Sequence, residues 1–276
     1  MNKDLFAEIW NLSPHQSSYL QAFTANYDVR GKDIIELGGA MPRSLVIDHL
    51  GANSWTCIQS IDYSLHRNDN QVPSNCTGDS SYNVIWANAE DFLTTSKSKW
   101  DALFSIAAFE HFLRLPEVIR KISKILSPFG TLFSIFAPIW SGPWGQHFTD
   151  RIPERFGQPN GEWTTQLIFN GPWDHLIYGA TEYLEIYTSK FDREFAEELT
   201  YQTFQSPQIN RLHFEDYRDL FVSASRTSTR IEALFDLPTG SNAQLQVELN
   251  RCISKFANTK YKNFQSSGIF IFQRFQ

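Results

Sequence analysis

Between Asp33 and Asp62 the chain reads DIIELGGAMPRSLVIDHLGANSWTCIQSID. This stretch constrains the fold more than any other. A short apolar strand runs to Leu37, Gly38-Gly39 makes a turn, a helix is expected to about Leu50, and a second strand ends in Asp62. Carboxylates stand at two places, Glu36 near the end of the first strand and Asp62 at the tip of the second. A strand, a glycine turn, a helix and a second strand tipped by an acid is how α/β proteins hold a nucleoside.

The rest of the first half repeats the alternation. Residues 64–80 are polar and rich in turn formers, hence a loop. YNVIWA (82–87) reads as a third strand, and NAEDF (88–92) as the acidic first turn of a helix. WDALFSI (100–106) is a fourth strand, Pro116 opens a helix through Leu126, and Ser127-Pro128-Phe129-Gly130 stops it. TLFSIFA (131–137) is a fifth strand, nearly all apolar, as a strand buried on both faces should be. Strands alternating with helices in this way predict an α/β fold with a doubly wound, mostly parallel sheet. Ahead of it, residues 4–26 hold two helical patterns with Ser13 as N-cap and Pro14 at the first helical position. They either pack on the sheet or cover the ligand.

From Pro138 the character changes. PIWSGPWGQHFTDRIPERFGQPNGEWTTQLIFNGPWDHLIYG is dense in Gly, Pro, Trp and His and has little periodicity. Such a long irregular segment in a compact domain is usually functional or disordered, and its aromatic content argues against disorder. Helices are expected at 180–202, 211–221 and 242–256, with strands at 225–235 and 268–274. The chain is divided accordingly into N-terminal helices (1–28), a nucleoside-binding half (29–138), an aromatic-rich insertion (139–222) and C-terminal elements that complete the sheet (223–276).

Charge and cysteine content narrow the function. The formal net charge of -6 argues against a nucleic-acid partner. No apolar run approaches the ~20 residues that span a bilayer, and MNKDLFAEIW lacks a signal core, so a cytoplasmic protein is expected. Cys57, Cys76 and Cys252 have no CxxC spacing and read as reduced thiols.

Five short elements taken in order resemble the class I S-adenosylmethionine-dependent methyltransferases, closest to their small-molecule type 11 branch. They are ELGGAMP after the first strand, Asp62 in SIDYS, NAEDF after the third strand, SIAAFEH at the fourth, and LSPFGTL before the fifth. The resemblance covers about residues 30–138. It implies a Rossmann-like seven-stranded sheet and S-adenosyl-L-methionine as cofactor. Gly38 and Gly39 would let the backbone approach the methionine moiety, and Glu36 would lie near its ammonium. Asp62 would accept from the ribose hydroxyls with Tyr63 beside it, the Asn88 side-chain oxygen would accept from the adenine N6 amino group, Ala89 and Glu90 would border the adenine through backbone groups, and Ser105 would line the site. The chain departs from the family pattern at Ala40, Pro42 and Phe129, where glycines are usual. Strand-end, capping and turn roles stay open for Asp62, Glu36 and Asn88.

Ligands of open α/β sheets lie beyond the carboxyl ends of the strands. That places His111 and the PIWSGPWGQHF segment at the acceptor mouth. A hydroxyl acceptor needs a general base. His147 is the first candidate, with His111 and His175 behind it, since imidazole titrates near neutrality. Trp140, Trp144, Trp163 and Trp173 are candidate walls for the acceptor; a lid and a homodimer surface stay open for the same residues. The histidines lack metal-ligand spacing, so no metal is expected. The expected activity is O-methylation of a small-molecule or peptide acceptor of natural-product type, with carboxyl and N-methylation as variants. A non-catalytic binding protein and an NAD(P)-dependent oxidoreductase are the alternatives from other classes.

Overall fold

The computed structural model describes residues 3–60, 80–146, 171–224, 228–236 and 243–275. The strands are β1 (Asp33–Leu37), β2 (Ser54–Gln59), β3 (Tyr82–Trp86), β4 (Trp100–Ile106), β5 (Leu126–Phe136), β6 (Ser228–Asp236) and β7 (Ser266–Arg274). They form one seven-stranded sheet in the order β3-β2-β1-β4-β5-β7-β6. The first five run parallel, while β7 is antiparallel to both of its neighbours. This is the doubly wound, mostly parallel seven-stranded α/β sheet expected from the sequence.

The helices are α1 (Lys3–Trp10), α2 (Pro14–Asn26), a π-helical turn α3 (Ser44–His49), α4 (Ala89–Thr95), α5 (Leu115–Ile125), α6 (Asp174–Ile177), α7 (Ala180–Thr188), α8 (Arg193–Phe204), α9 (Phe214–Ala224) and α10 (Ala243–Lys255). Alternation along the strands sends successive residues to opposite faces. Ile34, Phe104 and Phe133 face a layer of α1, α2 and α3, where Phe6, Leu20, Phe23 and Leu45 are buried. Ile35, Leu103 and Leu132 face α4, α5 and α9 through Leu93, Ile119, Ile122 and Phe221. The two N-terminal helices therefore pack on the sheet. Ser13 caps α2 in a reciprocal capping box with Gln16, and Pro14 occupies its first turn as its fixed φ favours.

Two expectations are corrected in detail. The segment after β1 is one π-helical turn rather than an α-helix to Leu50, with Leu45 and Val46 amides both directed at Pro42 O. The step before the fifth strand is itself part of β5: pairing shifts between Trp100↔Leu126 and Ala102↔Thr131, and the bulge leaves Phe129 exposed at φ 63°.

Beyond β5, the insertion contributes to two small cores. Tyr183, Tyr187, Phe195 and Leu199 join α7 to α8. Trp173, Leu176, Leu249, Cys252 and Phe264 join α6 to α10.

Candidate active site

The strand order reverses at β1, which has β2 on one side and β4 on the other. At such a switch point the connections leave in opposite directions and open a crevice beyond the strand ends. Gly38 floors it at φ 82°, a left-handed conformation that glycine adopts without a Cβ penalty. A Cβ there would lie 2.6 Å from Ile106 O and 3.0 Å from Ala108 Cβ. Across the crevice, Ala107 is exposed at the tip of β4 with φ 47°. A non-glycine residue held in this region stores strain of about 1–2 kcal/mol, a feature common at binding sites.

Glu36 fixes the turn from below. It is 1% exposed, and its Oε2 accepts from Met41 N (3.0 Å), Trp55 Nε1 (2.6 Å) and Cys57 Sγ (3.5 Å). Tyr82 adds a hydroxyl donated to Met41 O at 2.8 Å. Burial pushes the Glu36 carboxyl above the usual range, with the three donors opposing the shift. Three donors on Oε2 make Glu36 the clamp of the loop. Met41 N–H is spent on that clamp, and Pro42 has none.

Asn88 caps α4 by accepting from Asp91 N at 3.0 Å. Glu90 is buried and accepts from the Arg114 amide, with the Arg114 guanidinium 3.8 Å away. Ala89 follows the cap, half-buried, at the carboxyl end of β3. Ser105 is fully buried, in register with Leu37 and Ser134. Asp62, Tyr63, His147 and Trp163 lie outside the described residues.

Residues 137–146 fold tightly over the ends of β5 and β7: Ile139 N donates to Ser267 O, and Ser141 Oγ accepts from Phe214 N. Trp140 and Trp144 are half-buried. The Trp140 ring meets His175 edge-on (centroids 4.5 Å apart), and the Arg211 guanidinium stands 5.6 Å from its centroid. Trp173 is 1% exposed and donates from Nε1 to Phe264 O, so its indole belongs to the α6–α10 core.

The histidines differ sharply. His175 is buried, with Nε2 at 2.7 Å from Trp140 O, and desolvation lowers its pKa to about 3. His111 is partly exposed in the turn after β4, with Nδ1 at 2.7 Å from Gln208 O. A carbonyl can only accept, so Nδ1 carries a proton, and in the neutral ring Nε2 has the lone pair. Glu110 Oε1 stands 4.0 Å from that Nε2.

Several residues that matter here carry no signal in a short sequence window. Asn210 donates to Phe109 O and Phe112 O, accepts from Tyr217 OH and Leu212 N, and so holds the insertion against the turn bearing His111. Arg211 binds Thr203 O and Ser206 O. Ala107 and Gln146 likewise gain meaning only from their placement.

No family model matches the sequence, and no curated protein matches it. Solved structures with related architecture include three methyltransferases. An S-adenosylmethionine-dependent methyltransferase from Mesorhizobium loti is 14% identical, with 92% of this chain and 96% of that chain covered and a TM-score of 0.45. A plantazolicin methyltransferase in complex with a desmethyl analogue and S-adenosylhomocysteine is 12% identical, over 93% of this chain and 82% of that one, with a TM-score of 0.44. A phosphoethanolamine N-methyltransferase from Haemonchus contortus is 10% identical, over 97% of this chain but only 52% of its own length, with a TM-score of 0.46. Among the described residues, no helix is long and apolar enough to cross a membrane, and no group of three His, Cys, Asp or Glu side chains is placed to hold a metal ion.

Proposed function

We propose that the chain is an S-adenosylmethionine-dependent methyltransferase acting on a hydroxyl of a small-molecule or peptide acceptor. The observation that carries this reading is the Gly38 turn at the β1/β4 switch point, clamped by Glu36. A dinucleotide cradle needs free backbone N–H groups at the first helix for a diphosphate. Here Met41 N–H is taken by Glu36, Pro42 has none, and the helix is a single π-turn. A buried carboxyl beneath the turn suits a cationic ligand without phosphates. This favours the sulfonium cofactor over NAD(P).

Gly38 and Gly39 would receive the methionine moiety, with Glu36 holding their backbone from below. Asp62 and Tyr63 keep their ribose-side assignment from the sequence. The Asn88 side chain is engaged in capping α4, so the adenine would meet its backbone, as it would the backbone of Ala89 and Glu90. When bound, the cofactor supplies an electrophilic methyl group, and the protein's task is to align the acceptor and take its proton. His111 has the arrangement for that proton: Nδ1–H bound to Gln208 O fixes the tautomer, and Glu110 stands by the Nε2 that would become charged. His147 keeps its place as a base candidate on sequence grounds alone. His175, with a pKa near 3, is a poor base at neutral pH.

Calorimetry and thermal melting with S-adenosylhomocysteine test the cofactor. At a hundredfold excess over Kd, binding adds ~2.7 kcal/mol, a rise of roughly 5–10 °C in Tm. NAD(P) should give no shift; absence of a shift with S-adenosylhomocysteine and its presence with NAD(P) would reverse the assignment. For an acceptor that turns over, His111→Ala should lower kcat about a hundredfold with cofactor affinity unchanged. A full-rate His111→Ala beside a slow His147→Ala moves the base to His147.

A further inference from the structure

Arg211 carries a charge that the fold does not neutralise. The other described arginines lie exposed, and most of them pair with a carboxylate, as Arg43 does with Asp48 and Arg114 with Asp91. Arg211 is half-buried and, among the described residues, forms no ion pair. Burial pulls its pKa down, and among the described residues no neighbouring charge of either sign offsets or adds to that shift. Drawing a guanidinium partly out of water is costly, and bonds to two neutral carbonyls return only part of the cost.

The two bonds leave one edge of the guanidinium open. Nε donates to Thr203 O at 3.1 Å and Nη2 to Ser206 O at 2.7 Å, which occupies the side-on edge of the fork. A guanidinium has five N–H donors, so three remain. Nη1 has no partner among the described residues and is not one of their buried unbonded atoms, so solvent reaches it. In this it differs from the Gln146 amide, which is unbonded but closed off. Nη1 and the second Nη2 hydrogen form the end-on edge, which can take both oxygens of a carboxylate at once.

The surroundings narrow the ligand. Trp140 is half-buried just past the end of β5, and its ring centroid lies 5.6 Å from the guanidinium, so a flat apolar surface stands beside the cation. Gln208 O holds His111 Nδ1, and Asn210 N donates to Glu110 O at 2.9 Å, so Arg211 is tethered to the turn that bears His111. Gln208 and Arg211 are separated by at most about 10 Å of extended chain. Both Trp140 and His111 lie beyond the carboxyl ends of their strands, where ligands of this architecture bind. We propose that Arg211 anchors the acceptor by a carboxylate, so that the substrate class is a hydroxy acid with a flat apolar body, methylated on its hydroxyl. The naming of the ligand as the acceptor rests on the methyltransferase reading above. A guanidinium with no second cation beside it among the described residues matches one negative charge, hence a carboxylate rather than a doubly charged phosphate. A carboxylate on this edge has both oxygens engaged, so it positions the acceptor and is not the nucleophile. The hydroxyl oxygen bonds the methyl carbon as the bond from that carbon to sulfur breaks, and the hydroxyl proton passes to the general base.

The probes are benzoate, its neutral isostere benzamide, and phenyl phosphate, titrated into the full-length protein by saturation-transfer NMR with and without S-adenosylhomocysteine. Benzoate should bind about tenfold more tightly than benzamide and at least as tightly as phenyl phosphate. Arg211→Gln should bring benzoate down to the level of benzamide and leave benzamide unchanged. Arg211→Lys keeps the charge without the fork and should also weaken benzoate. Because Arg211 holds two carbonyls, the Tm of each variant is measured beside its affinities. If Arg211→Gln does not fold, Arg211→Lys and the wild-type ratio of benzoate to benzamide decide. Equal affinity for benzoate and benzamide, no binding of benzoate, or unchanged benzoate affinity in a folded Arg211 variant would each overturn the anchor. Tighter binding of phenyl phosphate than of benzoate would overturn the carboxylate. Failure of S-adenosylhomocysteine to bind bears on the methyltransferase reading alone, because the probe titrations also run without it.

Discussion

One carboxylate organises the turn after β1, and its partners Met41, Trp55 and Cys57 are at most 21 residues away. Around the insertion, Asn210 reaches back 101 residues to Phe109 O, Trp173 reaches forward 91 to Phe264 O, and His111 reaches 97 to Gln208 O. The first region is built from a compact local motif, the second from side chains that tie distant backbone together. Two large residues of the second, Trp173 at φ 61° and Arg211 at φ 53°, sit in left-handed backbone that only surrounding bonds can hold. A local motif should fail at a single residue, and a stitched region at its best-connected stitch.

The largest effect is expected at Gly38. An alanine there needs φ 82° and puts its Cβ 2.6 Å from Ile106 O, so the strand end or the turn must move. Gly38→Ala should cost about 3–5 kcal/mol of stability. S-adenosylhomocysteine binding should vanish in calorimetry. A stable Gly38→Ala protein that binds normally would show that the turn is not the cradle.

Asn210→Ala comes next. It strips two carbonyls of their donor and Tyr217 OH of its acceptor, for an expected loss of about 2–4 kcal/mol in urea unfolding. Cofactor binding should survive, because none of these bonds touches the β1 turn. Hydrogen exchange should rise at 109–112 and 205–213 while 36–41 stays protected. Uniform loss of protection would merge the two regions into one cooperative unit.

The same contrast explains what could be read from the sequence. The order of β1 to β5, the Gly38 turn and the Ser13 cap rest on patterns a few residues long, and each was visible there. Glu36 is legible as a carboxylate near the end of β1, but its partners Trp55 and Cys57 arrive only when β2 pairs with β1. Asn88 illustrates the limit, since a side chain's neighbours decide whether it faces a ligand or a helix end. Trp173 shows the same: an indole in a Gly-Pro context reads as a surface wall until Phe264 O claims its N–H. Nothing local marks Gln146 or Asn210, because what singles them out is an absence or presence of partners a hundred residues off.

Acid titration separates the regions by sign. His175 binds a proton in the unfolded chain below about pH 6.5 but in the folded protein only near pH 3. Between those values the unfolded state holds more protons, so stability falls as pH falls, by about 2 kcal/mol at pH 5. His213, also lowered by burial, acts in the same sense. Glu36 is the opposite case: its folded pKa is raised, so it costs stability as pH rises from its unfolded value of 4.5 through the folded one. His175→Gln keeps a donor for Trp140 O and removes the titration. Its urea midpoint should therefore decline less than that of the wild type between pH 7 and pH 5, the two curves separating most at the acid end. Parallel curves would mean that burial does not lower the His175 pKa and that the folded protein takes up its proton by pH 5.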